Sequence, residues 1–400
     1  IITAPGNANR TVFLGGNGAG LAAQTNTTLT VNGLIANAAA YAGPLNIGVT
    51  GNLVPGTGGA TANPALFANG TVDLSGGNNT YSGGTVLQSG TARINGLNNL
   101  GGTNYGGLTF NGGTLQDAPA AAGYGTLDLS SDNNSILLAG GGGILDVNGN
   151  DITYANTIGN YGGGALKVMS SAANGSLTLL GANTYTGGTV VSNATLTVNN
   201  ETGSATGAGA VSVQTNGSLA GYGTMAGSVT VNADGTLKLG GTPGILTVGN
   251  NLTRLAGGKT VLQVQHSPLA NDALQIGGTL NAGGTLIITN SGGTAFAAGD
   301  SFQLFSAGSY SGSFAAVTLP SLESGLMWNT NSLDSAGEIS VVTLSPKIGS
   351  VALSGTNLIM QGSGGLPNGM YYVLGSTNVA LPLPNWTRLA TNPFDAGGNF

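Results

Sequence analysis

Fourteen carboxylates, eight basic side chains and one histidine carry the acid–base chemistry available to this 400-residue chain. Cleavage of a polysaccharide by a lyase or hydrolase needs carboxylates gathered into an acid/base pair, or into a calcium cage with a basic group beside it. Here the acids are scattered, with Asp128/Asp132, Asp146/Asp151 and Asp334/Glu338 as the closest pairs and Glu323 near the last. No Asp-Asp, His-Gly or Arg-x-Lys pattern occurs. His266 stands beside Ser267-Pro268 and reads as a surface turn residue. Asp146-Val-Asn148-Gly-Asn150-Asp151 opens like a calcium loop, but Asp151 replaces the required glycine and Thr157 the closing glutamate. Gly15-Gly-Asn-Gly-Ala-Gly20 lacks the Gly-Lys-Ser/Thr that would make it a phosphate loop. The chain contains no cysteine. No catalytic residue, cofactor or metal site is therefore expected, and the chain reads as a non-enzyme.

Charge narrows the partners further. A formal charge of −6 with dispersed Lys and Arg excludes the basic patch that nucleic acid requires. No apolar run is long enough for a membrane-spanning helix, and no membrane insertion is expected. The chain starts at Ile1 without a basic segment and apolar stretch, as expected of a processed product or a fragment.

The elements that must position these residues announce themselves by repetition. Val211-Ser-Val213…Asn216-Gly-Ser-Leu219 returns 18 residues later as Val229-Thr-Val231…Asp234-Gly-Thr-Leu237. Gly123-Tyr-Gly-Thr-Leu127 returns as Gly221-Tyr-Gly-Thr-Met225, and Gly-Gly-Thr-Leu occurs at 112–115, 277–280 and 283–286. A period of about 20 residues with a strand–turn–strand in each unit is the mark of a solenoid. Glycine, 74 residues, and asparagine suit corners where neighbouring coils pass about 4.8 Å apart and where φ turns positive. Val, Leu and Ile then fill the interior. At that period residues 1–345 predict roughly 17 coils, a rod of about 80 Å. Ala36–Ala42 is the one helix candidate.

Asn79-Thr-Tyr-Ser-Gly-Gly-Thr-Val86 and Asn183-Thr-Tyr-Thr-Gly-Gly-Thr-Val190 lie 104 residues apart. The second continues into Leu196-Thr-Val198 and Gly203-Ser-Ala-Thr-Gly-Ala-Gly-Ala-Val211. These units resemble the autotransporter-associated β-strand repeat, also called the passenger-associated transport repeat. The resemblance implies a right-handed parallel β-helix on a secreted bacterial protein, extracellular or at the cell surface. Because Tyr81 and Tyr185 share a repeat position, a structural corner role is expected for both. The ending, from Tyr371 through Trp386 to Phe394 and Phe400, is similar to a small C-terminal β-domain that follows such repeats. Nothing after Ser345 is long enough for the membrane barrel of a true autotransporter.

The expected fold class is thus all-β: a right-handed parallel β-helix with a small C-terminal β-sandwich-like domain. Residues 1–14 read as an N-terminal strand, 15–270 as the β-helix and 271–345 as an aromatic-rich cap. Residues 346–400 read as an incomplete sandwich of about five strands, short of the roughly seven of an immunoglobulin type. An incomplete sandwich exposes a groove that a strand from another subunit can fill. Ile1, Ile2, Thr11, Val12, Phe13 and Leu14 are the expected donor. Tyr371, Tyr372, Val373, Trp386, Phe394 and Phe400 are the expected acceptor. The expected function is a rigid extracellular rod that joins copies of itself head to tail into a fibre. The alternatives are a single-molecule adhesin binding glycans or surface polysaccharide, and a polysaccharide lyase or hydrolase.

Overall fold

Short runs that alternate apolar and polar residues give each strand one apolar face, and stacking coils buries it. The computed structural model describes residues 6–8, 11–48, 69–102, 106–118, 136–366 and 368–400, and everything below concerns these. The longest sheet climbs from Gly6–Ala8 through Thr28–Val31, Thr91–Ile94, Leu166–Met169 and Val229–Val231 to Ala273–Ala282. A six-stranded sheet runs beside its first half, from Ala19–Leu21 to Ile158–Asn160. A nine-stranded sheet from Asp151–Tyr154 to Ala316–Thr318 forms a further face, and Gly143–Asp146, Asp151–Tyr154 and Ile158–Asn160 pass through all three sheets in turn. Coil pairs with coil in parallel register throughout, so the body is a parallel β-helix.

The sequence repeats are stacked coils. Val211 lies on Val229 and Leu219 on Leu237. Asn216 and Asp234 turn the intervening corners at φ 55° and 59°. One inward column runs Leu29, Val72, Ala92, Leu115, Leu145, Val168, Val191, Val213, Val231, each resting on the next. None of these is more than 1% exposed, and burying each Val or Leu contributes about 1.5–3 kcal/mol.

Two expectations are corrected here. Val211 to Val229 takes 18 residues, but Leu115 to Leu145 takes 30, because corners absorb insertions without disturbing the ladder. The longest sheet therefore stacks thirteen rungs among the described residues, up to Phe305–Gly312, instead of roughly seventeen. Ala36 is not helical either. Ile35–Asn37 is a strand on Val12–Leu14, since tertiary pairing overrides a weak local helix preference.

Parallel pairing continues past residue 270 to Ala316–Thr318. An antiparallel sheet of Ser301–Gln303, Glu338–Thr343 and Leu326–Asn329 then closes the core. Phe296, Phe302 and Trp328 pack there, with ring centroids 5.2–6.0 Å apart. After the cap come two antiparallel hairpins, Lys347–Ser354 with Asn357–Ser363 and Met370–Gly375 with Thr387–Pro393. Residues 394–400 form no strand.

The aliphatic column ends on a charge. Arg254 lies in register above Val231, is 3% exposed, and has no hydrogen-bond partner on any guanidinium nitrogen. Its guanidinium carbon sits 4.2 Å from the Phe314 ring centre and 5.0 Å from that of Phe305. Burial pushes its pKa down to about 9, opposed by the charge of Asp334, so it remains a cation at neutral pH. A buried charge without hydrogen bonds is commonly less stable than an apolar side chain of similar volume. Arg254→Met is expected to raise the chemical-denaturation midpoint, by about 1–3 kcal/mol of stability. A lowered midpoint would show that the ring contacts outweigh the desolvation.

Candidate functional site

The repeated Asn-Thr-Tyr-x-Gly-Gly-Thr motif buries its Asn, Tyr and final Thr, and its asparagines hold coils together. Asn183 is 5% exposed and its carboxamide oxygen accepts the Ile158 amide of the coil below at 2.6 Å. Its amide nitrogen donates to the Ala205 carbonyl of the coil above at 2.5 Å. Asn79 repeats this with the Ile35 amide at 2.8 Å and the Asn99 carbonyl at 2.6 Å. Each asparagine thus links three coils. Tyr81 and Tyr185 are wholly buried, and their hydroxyls pair with Thr85 and Thr189 at 2.6 Å. Burial raises both phenol pKa values. The first glycine of each pair faces backbone: a Cβ on Gly83 would lie 2.2 Å from the Gly43 oxygen, and one on Gly187 2.3 Å from the Gly164 carbonyl carbon. The buried Asn and Gly positions of the motif thus rivet neighbouring coils together.

The carboxylates are spread along the rod. Asp73 pairs with Arg93 at 3.5 Å, Arg93 donates to Gln116 at 2.7 Å, and Gln116 donates to Asp146 at 2.7 Å. This outward ladder crosses four coils. Asp146 also accepts the amides of Asn148 and Ser171 at 3.0 and 2.8 Å. Asn148 and Asn150 donate to the carbonyls of Asp117 and Ala118. The loop that opens like a calcium site is thus occupied by the protein's own donors, and Asp151 is exposed, accepting from Ser176. Glu338 accepts from Ser301, whereas Glu323 and Asp334 are exposed. Asp128, Asp132 and the unit 123–127 lie outside the described residues. Among the described residues no three of His, Asp or Glu come together in a way that could hold a metal ion.

His266 is more than a turn residue. It is half-buried, and its Nδ1 lies 2.8 Å from the Asp300 carboxylate, which also accepts the Ala297 amide at 2.8 Å. The pair ties the corner after Lys259–Gln265 to the cap. Sequence reading missed it because the partner stands 34 residues away. Asp117 was missed in the same way. It is 5% exposed, and burial lifts its carboxyl pKa to about 6, against the Ala118 amide and the Asn150 side chain.

The C-terminal hairpins hold most of the expected acceptor residues. Tyr371, Phe394 and Phe400 form an aromatic cluster with centroids 4.9–5.9 Å apart. With Tyr372 and Val373 they line an open cavity of about 320 Å3, alongside Pro346, Ile348 and Met360. Arg388 covers the outer face of Tyr372 at 4.1 Å. Trp386 is absent from this lining; its indole nitrogen donates to the Leu381 carbonyl at 2.9 Å and fixes a turn.

At the other terminus, part of the strand expected over 1–14 belongs to the first coil. Val12–Leu14 pairs with Ile35–Asn37, and Leu14 is fully buried in the first coil because its side chain enters the aliphatic core. Thr11 is exposed, Val12 half-buried and Phe13 64% exposed. Ile1 and Ile2 lie outside the described residues. No protein-family description matches this chain, and no curated protein matches it. The fold defines it as a parallel β-helix with a small antiparallel C-terminal module.

Two outcomes are expected. Asn183→Ala leaves the Ile158 amide and the Ala205 carbonyl without their partner, and stability should fall by about 2–4 kcal/mol. Ser212→Ala, on the outward face of Val211–Val213, removes only the bond its hydroxyl accepts from the Asn232 amide at 3.0 Å and should cost about 0.5–1.5 kcal/mol, less than Asn183→Ala. Asp117 has a folded pKa above its ordinary 3.8. Its neutral form therefore favours folding below about pH 4, and that advantage is lost as pH rises through about 6. Asp117→Asn should flatten the dependence and be more stable than wild type by about 2 kcal/mol near pH 8, measured by denaturant titration.

Proposed function

We propose that this chain is a non-catalytic structural subunit, a rigid extracellular or cell-surface β-helical rod that associates head to tail into a fibre. The observation that carries this reading is the distribution of apolar surface. Among the described residues, twelve of the twenty-one exposed large apolar side chains lie between Ile348 and Leu389, about a tenth of the chain. Exposed apolar area concentrated in this way marks an interaction surface. A contact between the two different ends of one rod is heterologous and does not close, so it extends into a filament.

Likeness of the Asn-Thr-Tyr units to passenger repeats supports export, and the low charge with abundant Asn, Thr and Ser suits an external rod. A glycan-binding rod calls for a row of exposed aromatics along one face. Tyr81, Tyr154 and Tyr185 instead lie within the core, so this reading has less to support it. Electron microscopy of the purified full chain tests the proposal. Unbranched filaments one rod wide are expected, growing longer with concentration. Dispersed rods of single-subunit length at all concentrations would contradict it.

A further inference from the structure

Buried polar atoms without partners gather where the body of the rod meets its cap. Among the described residues six buried side-chain nitrogen and oxygen atoms have no hydrogen-bond partner, and three of them belong to Arg254 and one to Thr260. Arg254 ends the strand Leu252–Arg254, and Thr260 is the second residue of the next strand, Lys259–Gln265. The two flank one corner and both turn inward, at 3% and 0% exposed. Thr260 lies in register between Leu237 and Leu286, within the apolar stack of its own sheet.

The neighbours of Arg254 attract its charge without meeting its needs. Phe305 and Phe314 stack on each other with centroids 5.6 Å apart, and their ring centres lie 5.0 and 4.2 Å from the guanidinium carbon. A ring draws the cation by its quadrupole but is a poor acceptor for the five N–H groups, which spread in the guanidinium plane. Among the described residues the ion pairs are Asp73–Arg93 and His266–Asp300, so no carboxylate meets Arg254 at contact distance. Asp334, whose charge acts on it, is exposed. A buried ion is tolerated where a counter-charge and hydrogen bonds accompany it. Water would accept the N–H groups and leave the charge uncompensated. An anion does both.

The column limits the size of that anion. Val168, Val191, Val213 and Val231 precede Arg254 along it. Beyond it, Thr253 pairs with Asn281 of the next coil; the residue after Asn281 is Ala282, which pairs with Gly312. The guanidinium is thus followed by the two smallest residues, where earlier coils carry valine. Coils about 4.8 Å apart suit a single-atom ion and are too close for a sulfate or a phosphate. One negative charge suffices to balance one arginine.

The geometry points to a buried halide site at the junction of body and cap, with the Arg254 guanidinium and the Thr260 hydroxyl as its donors. A chloride held there neutralises the cation as the segment carrying Phe305 and Phe314 closes over it, so closure of the cap depends on halide concentration. The site stands apart from the fibre reading and does not need it.

Denaturant titrations of the full chain at constant ionic strength, with chloride replacing gluconate, test the site, because gluconate is too large to be enclosed. Once chloride exceeds its dissociation constant, the folded-to-unfolded ratio of wild type should rise about tenfold for each tenfold increase in chloride. Arg254→Met should show no such rise, so its advantage over wild type should be largest without halide and shrink as chloride is added. Thr260→Val keeps the side-chain shape and removes one donor, and should need roughly tenfold more chloride for the same effect. Crystals of wild type grown in bromide should show an anomalous peak within hydrogen-bond distance of the Arg254 guanidinium. An equal chloride response in wild type and Arg254→Met would overturn the site. Bromide peaks on surface residues alone, an adventitious ion only, with water at Arg254 would overturn it too. If Arg254→Met does not fold, the bromide map of wild type decides by itself.

Discussion

Neighbouring coils in a parallel stack run about 4.8 Å apart, and the other features of this chain follow from that spacing. At the corners backbone meets backbone, which is why a Cβ on Gly83 or Gly187 would collide with the coil below. Inside, only a continuous aliphatic column fills the narrow space, and the column from Leu29 to Val231 does so with nearly complete burial. Where a corner leaves amides and carbonyls unpaired in the core, Asn79 and Asn183 reach to both adjoining coils. Each can do so because the carboxamide carries donor and acceptor on one short side chain.

The coil architecture was legible because the spacing constraint writes itself into sequence at every turn. Val211 and Val229 could be aligned by eye, and they stack; Tyr81 and Tyr185 read as structural, and both are buried. Coil number was less legible, since the 30-residue step from Leu115 to Leu145 leaves no trace in the short repeats. Pairing between distant residues was invisible. Nothing near His266 in sequence points to Asp300, and nothing near Arg254 points to Phe305 or Phe314. The first coil was misread for the same reason. Residues 12–14 carry no repeat signature, yet Ile35–Asn37 gives them a partner and the core takes Leu14.

Charge and apolar surface are partitioned along the molecule. The rod is tied outwardly by Asp73, Arg93, Gln116 and Asp146, while residues 11–72 and 348–387 have no charged side chain and the second of these stretches carries many exposed apolar ones. Arg254 stands apart from both patterns, a buried cation packed against the stacked rings of Phe305 and Phe314. Exposed apolar side chains gathered in one short stretch are what the proposed end-to-end contact builds on.

Small-angle X-ray scattering of the full chain over a range of concentrations tests that account most directly, because it reports cross-section and length separately. The account requires a cross-sectional radius that stays that of one β-helix while length and mass grow with concentration. A constant single-subunit mass would contradict it, and so would a cross-section that thickens while length stays fixed, since that would mean the rods join side to side.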